Sequence, residues 1–128
     1  MRKSFILIII AIILAVIASM LPDKIEYKQI TMEEAKSIID SQVDYVLLDV
    51  RTQAEYDEGH IPGAVCIPNE SITGKDIAEL PDKNSLILVY CRSGNRSKQA
   101  AQKLADMGYK NVREFGGITD WTGETEKS

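Results

Sequence analysis

The chain has 128 residues, of which 45% are hydrophobic and 27% charged, the composition of one folded domain rather than of a disordered chain. Beyond the first 20 residues it carries 13 basic and 19 acidic side chains, a formal charge of −6, which argues against general nucleic-acid binding because that requires a basic face. Two cysteines, Cys66 and Cys91, are too few for a disulfide-stapled domain and lack the paired spacing of a metal site.

A hydrophobic segment lies near the N-terminus. Residues 5–18 are 14 consecutive apolar residues, preceded by Arg2 and Lys3. A short basic start followed by an apolar run is typical of a secretory signal or a signal anchor. We therefore predict a signal peptide or transmembrane signal anchor over residues 1–21 and the folded domain over residues 22–128.

The end of this segment favours an anchor. Ala18 could precede a cleavage site, but the apolar character continues into Leu21. An uncleaved helix would cross the membrane through residues 5–21, which is the lower limit of length for a span. With or without cleavage, the basic start stays on the cytoplasmic side. The domain is therefore expected in the cell envelope, outside the cytoplasm.

Short alternating units follow the hydrophobic segment. Strands are predicted at 26–30, 45–50, 64–67, 85–90 and 112–115. Helices are predicted after a capping box that begins at Thr31 and at 70–80 and 97–107, and a short helix or turn is predicted at 52–58. The second and fourth strands are nearly continuous apolar runs, as expected for strands covered on both faces. The pattern predicts an α/β fold with a mostly parallel central sheet and helices on both faces.

The position of Cys91 favours a reactive thiol. In folds of this kind the site lies beyond the carboxyl ends of the strands, which selects the segments after Val50 and Tyr90. Cys91 follows Tyr90 directly, and a loop over 91–96 leads into a predicted helix. Inward-turned backbone N–H groups and the positive end of that helix would stabilise a thiolate. Four cations and no acid lie between positions 91 and 104, namely Arg92, Arg96, Lys98 and Lys103.

Three sequence blocks occur in order between residues 30 and 121. The first is LLDVR at 47–51, with EY at 55–56 and GHIPGA at 59–64; the second is LVYCRSGNRS at 88–97; the third is GG at 116–117 with Trp121. These blocks resemble the first signature, the active-site loop and the C-terminal signature of the single-domain rhodaneses, a family of sulfurtransferases. One CxxGxR motif would be a weak signal, whereas three ordered blocks are a strong one.

The resemblance implies covalent chemistry that needs no metal and no cofactor. The Cys91 thiolate would take sulfur from a small anionic donor, thiosulfate or a persulfide, and a thiol acceptor would then remove it. Backbone N–H groups of the loop would hold the persulfide, while Arg92 and Arg96 would orient the sulfonate group of the donor. The substrate-binding residues implied in this way are Arg92, Ser93, Gly94, Asn95, Arg96, Ser97 and Arg51. From the residues alone, Ser97 is either a contact or the N-cap of the helix.

Three alternative functions stay open. The domain could be a sulfur-carrier or interaction module with little turnover. A phosphatase or arsenate reductase is disfavoured, because those enzymes place five residues between cysteine and arginine, and here four separate Cys91 from Arg96. A thiol-redox protein would need a resolving cysteine, and only Cys66 is available, which is expected to be a small core residue that does not pair with Cys91.

Several side chains are expected to serve the fold. For Arg51, an ion pair with Asp49 or Glu55 is favoured over a substrate contact. His60, the single histidine, is expected to form a hydrogen bond within its turn rather than a dyad with the cysteine. Packing roles are expected for Phe115 and Trp121. The chain is expected to be a monomer with a frayed tail over 123–128.

Overall fold

The computed structural model describes residues 2–21 and 24–128. The helices are α1 (Arg2–Met20), α2 (Met32–Ile39), α3 (Gln53–Glu58) and α4 (Asn95–Asp106). The strands are β1 (Lys28–Gln29), β2 (Val46–Asp49), β3 (Val65–Cys66), β4 (Leu86–Cys91) and β5 (Asn111–Gly117). Single 3₁₀ turns lie at Asn69–Ser71 and Ile118–Asp120.

The five strands form one sheet in the order β1-β5-β4-β2-β3, and every neighbouring pair is parallel. The predicted α/β architecture is therefore confirmed, with a sheet that is entirely rather than mostly parallel. Strand β4 is central and β2 lies between β4 and β3. Because parallel strands end at the same edge, the carboxyl ends of β2 and β4 lie side by side.

Side chains of successive residues on the central strands enter two hydrophobic clusters, one on each face of the sheet. On β4, Ile87 and Val89 pack with Leu104 of α4, whereas Leu88 packs with Ala35 of α2. All of these side chains are buried. The continuous apolar run in β4 thus arises because helices cover both faces, as predicted.

Two helices begin at side-chain caps, of which the sequence predicts the one at Thr31. Thr31 caps α2 by accepting a hydrogen bond from the backbone N–H of Glu34. Thr52 and Glu55 form a complete capping box at the start of α3, which ends at Gly59. The capping box therefore stabilises the N-terminus of α3 beside the carboxyl end of β2.

The helix predicted over 70–80 is wrong. The structure has only the 3₁₀ turn Asn69–Ser71 there, followed by irregular chain in which Gly74 takes a φ of +91°. Ile72 and Leu80 are buried and Ile77 packs against them. Their spacing of five and then three residues does not repeat with a helical period, so an irregular segment brings them to the core.

The C-terminal tail is also not frayed, contrary to expectation. The backbones of His60 and Glu126 exchange two hydrogen bonds of 2.9 Å, and the N–H of Ser128 donates to the carbonyl of Asp57. These contacts hold the tail against the turn that follows α3. Polar composition alone does not reveal such backbone pairing.

Helix α1 is 19 residues long and apolar enough to cross a membrane, and none of its side chains is buried. A signal sequence near the N-terminus has the same length and composition, so anchoring or export stays a prediction. The expected result is that the full chain sediments with the membrane fraction and that a chain starting after α1 does not. Recovery of the full chain in the soluble cytoplasmic fraction would contradict both anchoring and export.

Candidate active site

Cys91 is the last residue of β4, and its side chain is enclosed, with 1% of the residue exposed. The backbone N–H of Gly94 donates to Sγ at 3.0 Å. Burial by itself raises the pKa of the thiol, but the Ser97 hydroxyl and the N–H groups of Ser97, Gly94 and Ser93 outweigh burial and lower it. The sulfur is therefore placed where a thiolate is stabilised by nearby donors.

The loop after Cys91 is shorter than predicted, because α4 already begins at Asn95. Gly94 is the N-cap of α4 with a φ of +112°, a backbone conformation that only glycine adopts readily. This geometry directs the Gly94 N–H to the sulfur. The start of α4 also lies beside Cys91, so the positive end of the helix favours negative charge there.

Gly117 fixes the outer side of the loop. A Cβ built on Gly117 would lie 1.9 Å from the carbonyl oxygen of Arg92, so no side chain fits there. That same carbonyl accepts hydrogen bonds from the N–H and the hydroxyl of Thr119, at 3.2 and 3.0 Å. The second glycine of the GG pair therefore allows the end of β5 to hold the Cys91 loop.

Ser97 is not the N-cap of α4, contrary to one of its two predicted roles. It lies in the first turn, fully buried, and its Oγ is 3.4 Å from the Cys91 Sγ. The same hydroxyl is 2.7 Å from Oε1 of Glu114 on β5. Glu114 did not emerge as a site residue from the sequence, although an acid inside the short predicted strand 112–115 was the available signal.

Arg96 is bound by a second acid that sequence reasoning missed. Its two terminal nitrogens lie 2.6 and 3.0 Å from the two carboxylate oxygens of Glu55 on α3. The hydrogen bonds from Arg96 lower the pKa of Glu55 to about 2, so Glu55 keeps its charge at any working pH. The positive charge next to Cys91 is therefore partly compensated by Glu55 from another element.

The other predicted contacts of the loop lie at its surface, and one cation of the same stretch binds elsewhere. Arg92, Ser93 and Asn95 are exposed beside the loop. Lys103, one of the four cations of this stretch, binds the backbone and side-chain oxygens of Asn69 at 2.9 and 3.0 Å. Lys103 therefore serves the packing of α4 rather than the sulfur.

Arg51 forms the ion pair with Asp49 that the sequence favours. Its Nη2 lies 2.7 Å from Oδ2 of Asp49 and 2.7 Å from the carbonyl oxygen of Gly59. Arg51 is 6% exposed, and Tyr90 also donates to the Asp49 carboxylate, at 2.8 Å. A substrate contact by Arg51 would require it to leave these partners.

His60 and Cys66 have partners inside the fold. The His60 ring stacks on Tyr56, with its Nδ1 2.8 Å from the Tyr56 carbonyl oxygen and its Nε2 3.3 Å from a Glu126 oxygen. This confirms the predicted role of His60 in its turn. Cys66 is half-buried rather than the core residue that the sequence predicts, and its Sγ lies 3.7 Å from the Arg51 carbonyl oxygen. Both cysteines are free, and β2 separates the strand of Cys66 from that of Cys91, as expected.

Comparison with known proteins adds the family. The family model described as "Rhodanese-like domain" matches residues 31–124 of this chain. The chain belongs to the rhodanese-like domain family. This rhodanese-like domain also superposes on a structure described as "rhodanese with anions from E. coli", with a TM-score of 0.61 and 36% identity, over 66% of this chain and 100% of the other.

The curated relatives of this rhodanese-like domain include proteins named as sulfurtransferases and as a sulfur carrier. It is 38% identical to "Thiosulfate sulfurtransferase PspE" of Escherichia coli, over 57% of this chain and 70% of the relative. It is 40% identical to "Putative sulfur carrier protein YrkF" of Bacillus subtilis, over 77% of this chain and 52% of the relative. It is 38% identical to "Adenylyltransferase and sulfurtransferase UBA4" of Meyerozyma guilliermondii, over 79% of this chain. The chain spans about half of YrkF and 25% of UBA4.

Proposed function

We propose that this domain is a sulfurtransferase in which Cys91 carries the transferred sulfur as a persulfide. The observation that supports this most is the enclosed Cys91 sulfur at the end of β4 and beside the start of α4, with the Gly94 N–H 3.0 Å away and a lowered thiol pKa. Such a sulfur is both a nucleophile and a group that can carry negative charge. The name of the relative PspE suggests thiosulfate as the donor.

In the first half-reaction the Cys91 thiolate attacks the outer sulfur of thiosulfate. A bond forms between the Cys91 sulfur and that sulfur, the bond to the sulfonate sulfur breaks, and its electron pair leaves with sulfite. One negative charge stays on the Cys91 persulfide, where the N–H groups of the loop hold it. The exposed Arg92 is placed to attract the dianionic donor.

In the second half-reaction an acceptor thiolate, or cyanide in an assay, attacks the outer sulfur of the persulfide. The bond to Cys91 breaks and its electron pair returns to Cys91 as a thiolate. The same N–H donors hold the negative charge before and after both steps, so the loop does not have to rearrange between them. The two substrates therefore react in turn at one sulfur, which is ping-pong chemistry.

The test is the intact mass of the full-length protein after incubation with thiosulfate. We expect a gain of one sulfur atom that cyanide removes, absent in Cys91→Ser and present in the matched variant Cys66→Ser. A reduced Cys91 that gains no sulfur from thiosulfate or from a persulfide donor would refute the proposal. An adduct that persists in Cys91→Ser would place the carrier elsewhere.

A second candidate is a sulfur carrier with little turnover, which the name of the relative YrkF suggests. A carrier and an enzyme both form the Cys91 persulfide, so the mass experiment does not separate them. Repeated turnover with a small thiol or cyanide does. An adduct that forms fully but is discharged only slowly by small acceptors would favour the carrier.

The Glu55–Arg96 ion pair leads to a prediction for donor binding. In Glu55→Gln we expect the KM for thiosulfate to fall by up to about fivefold, because Arg96 is released and one carboxylate near the anion is removed. Steady-state kinetics at low salt would measure this, with Glu58→Gln as control, since Glu58 is an exposed acid on the same helix. A raised KM in Glu55→Gln would mean instead that Glu55 holds Arg96 in its binding position.

A further inference from the structure

Glu114 is a buried acid whose carboxylate is directed toward the active-site loop. It is 2% exposed and lies on β5, next to β4. Its Oε1 is 2.7 Å from the Ser97 hydroxyl and 2.7 Å from the backbone N–H of Gly116, which donates to it. Its Oε2 is 3.4 Å from the side-chain nitrogen of Gln29 on β1. Burial of a carboxyl group needs such partners, and here one of them also contacts the nucleophile.

No side-chain cation neutralises this acid in the part of the chain described, since none of the ion pairs within residues 2–21 and 24–128 includes Glu114. Of the two cations next to Ser97 along α4, Arg96 is bound to Glu55 and Lys98 is exposed. The titratable group joined to Glu114 by a shared contact is Cys91. Other charged side chains lie on the loop, on β5 and on the elements packed against β5. They are Arg92 on the loop, Arg113 on β5, Lys28 on β1, Lys98, Lys103 and Asp106 on α4, and Glu33, Glu34 and Lys36 on α2.

The Ser97 hydroxyl has one proton and several neighbours that can accept it. Besides Glu114 Oε1 at 2.7 Å and Cys91 Sγ at 3.4 Å, the Gly94 carbonyl oxygen lies 2.9 Å away. When Ser97 donates to an ionised Glu114, its oxygen can receive the proton of a Cys91 thiol. When Ser97 donates to a Cys91 thiolate, two bare oxygens would face each other at 2.7 Å unless Glu114 carries a proton. A single Ser97 proton therefore favours opposite protonation states in Cys91 and Glu114.

We propose that Cys91 and Glu114 share one proton through the Ser97 hydroxyl, so that Glu114 receives the proton when the thiolate forms. The S–H bond of Cys91 breaks as its proton passes to Ser97 Oγ, and the Ser97 proton passes to Glu114 Oε1. One S–H bond is replaced by one O–H bond, and the net charge of the three side chains stays at −1. The shared proton explains how the thiolate of the proposed sulfur transfer forms. It rests on that proposed function only for the statement that the thiolate attacks a sulfur donor.

The shared proton has a consequence for the anionic donor. Two adjacent negative charges, thiolate and carboxylate, would repel thiosulfate and each other in a buried site. With the proton on Glu114, the attacking thiolate carries the single negative charge, and so does the persulfide that replaces it. Glu114 is therefore a positioning residue that acts through Ser97 and does not touch the substrate.

The test is the pH dependence of Cys91 alkylation by iodoacetamide in the full-length protein, followed by mass spectrometry. A pair that holds one proton keeps a constant thiolate fraction across the pH range in which it neither gains a second proton nor loses its last one, and the test covers about pH 6 to 8. We expect a nearly flat rate over this range in the wild type and in Glu33→Gln, whose acid is exposed. In Glu114→Gln and Ser97→Ala we expect the rate to rise tenfold per pH unit up to the thiol pKa.

A tenfold rise per pH unit in the wild type, or a flat profile in both Glu114→Gln and Ser97→Ala, would overturn the proposal. If Glu114→Gln does not fold, the infrared spectrum of the wild type at neutral pH gives a second answer. We expect the band of one protonated carboxyl group, lost in Cys91→Ser, where no thiol can supply the proton; its absence from the wild type would also overturn the proposal. Alkylation needs no sulfur donor, so a flat profile without sulfur loading would refute the proposed function alone.

Discussion

Replacement of Asp49 by alanine is expected to destabilise the domain by about 3–5 kcal/mol, the cost of breaking a buried ion pair by removing one partner. Asp49 is fully buried and accepts hydrogen bonds from the backbone N–H, Nε and Nη2 of Arg51 and from the hydroxyl of Tyr90. Burial and then the Asp49 charge raise the pKa of Tyr90, so Tyr90 stays a phenol that donates. Without Asp49, the Arg51 guanidinium loses its carboxylate partner and keeps its hydrogen bond to the Gly59 carbonyl.

Urea unfolding of the wild type and of Asp49→Ala would measure this difference. Asp76→Ala is the matched control, because Asp76 is exposed and its loss is expected to change the unfolding free energy by less than about 0.5 kcal/mol. A loss below 1 kcal/mol in Asp49→Ala would mean that water enters and solvates Arg51. The carboxyl end of β2 would then be less rigid than its contacts suggest.

Replacement of Gly117 by alanine is expected to lower the rate of sulfur transfer by about 100-fold, the cost of a displacement of about 1 Å in an active site. The added Cβ would overlap the Arg92 carbonyl, 1.9 Å away, and backbone atoms cannot rotate aside as a side chain can. The loop would have to move, and with it the N–H groups that stabilise the Cys91 thiolate. A slower alkylation of Cys91 at neutral pH is expected for the same reason.

Turnover with thiosulfate and cyanide would measure the loss, with Gly59→Ala as the matched control. Gly59 has extended backbone, and a Cβ there would meet nothing within 4 Å, so this variant is expected to keep the wild-type rate. Wild-type turnover in Gly117→Ala would show that the loop tolerates displacement. The Cys91 thiolate would then be stabilised by the Ser97 hydroxyl more than by the backbone N–H donors.

The sheet and the place of Cys91 could be predicted because they depend on local patterns. A continuous apolar run such as 85–90 identifies a strand covered on both faces, and a cysteine after it must lie at the carboxyl edge. The capping residue Thr31 acts on its own helix, so it too could be identified from neighbours in the chain. The capping box at Thr52 is equally local, but it was not predicted. The helix predicted over residues 70–80 was wrong because an irregular backbone brings the apolar side chains of this segment to the core.

The two acids of the site could not be predicted from local sequence. The stretch from 91 to 104 has no acid, which indicated a purely positive site. Glu55 and Glu114 reach it from positions 41 and 17 residues away from their partners Arg96 and Ser97. Such long-range pairs follow from the strand order and the register, which a single sequence does not specify. The charge next to the sulfur is therefore a property of the tertiary fold.

The two edges of the sheet are very short. Strands β1 and β3 form them, and each has two residues. An exposed edge recruits a strand from another molecule through its unpaired N–H and C=O groups, and two residues offer few of these. We therefore expect the domain to resist fibril-like association at high concentration. Aggregation of the full chain in water would arise instead from the apolar side chains of α1, none of which is buried. Detergent would then reverse this aggregation.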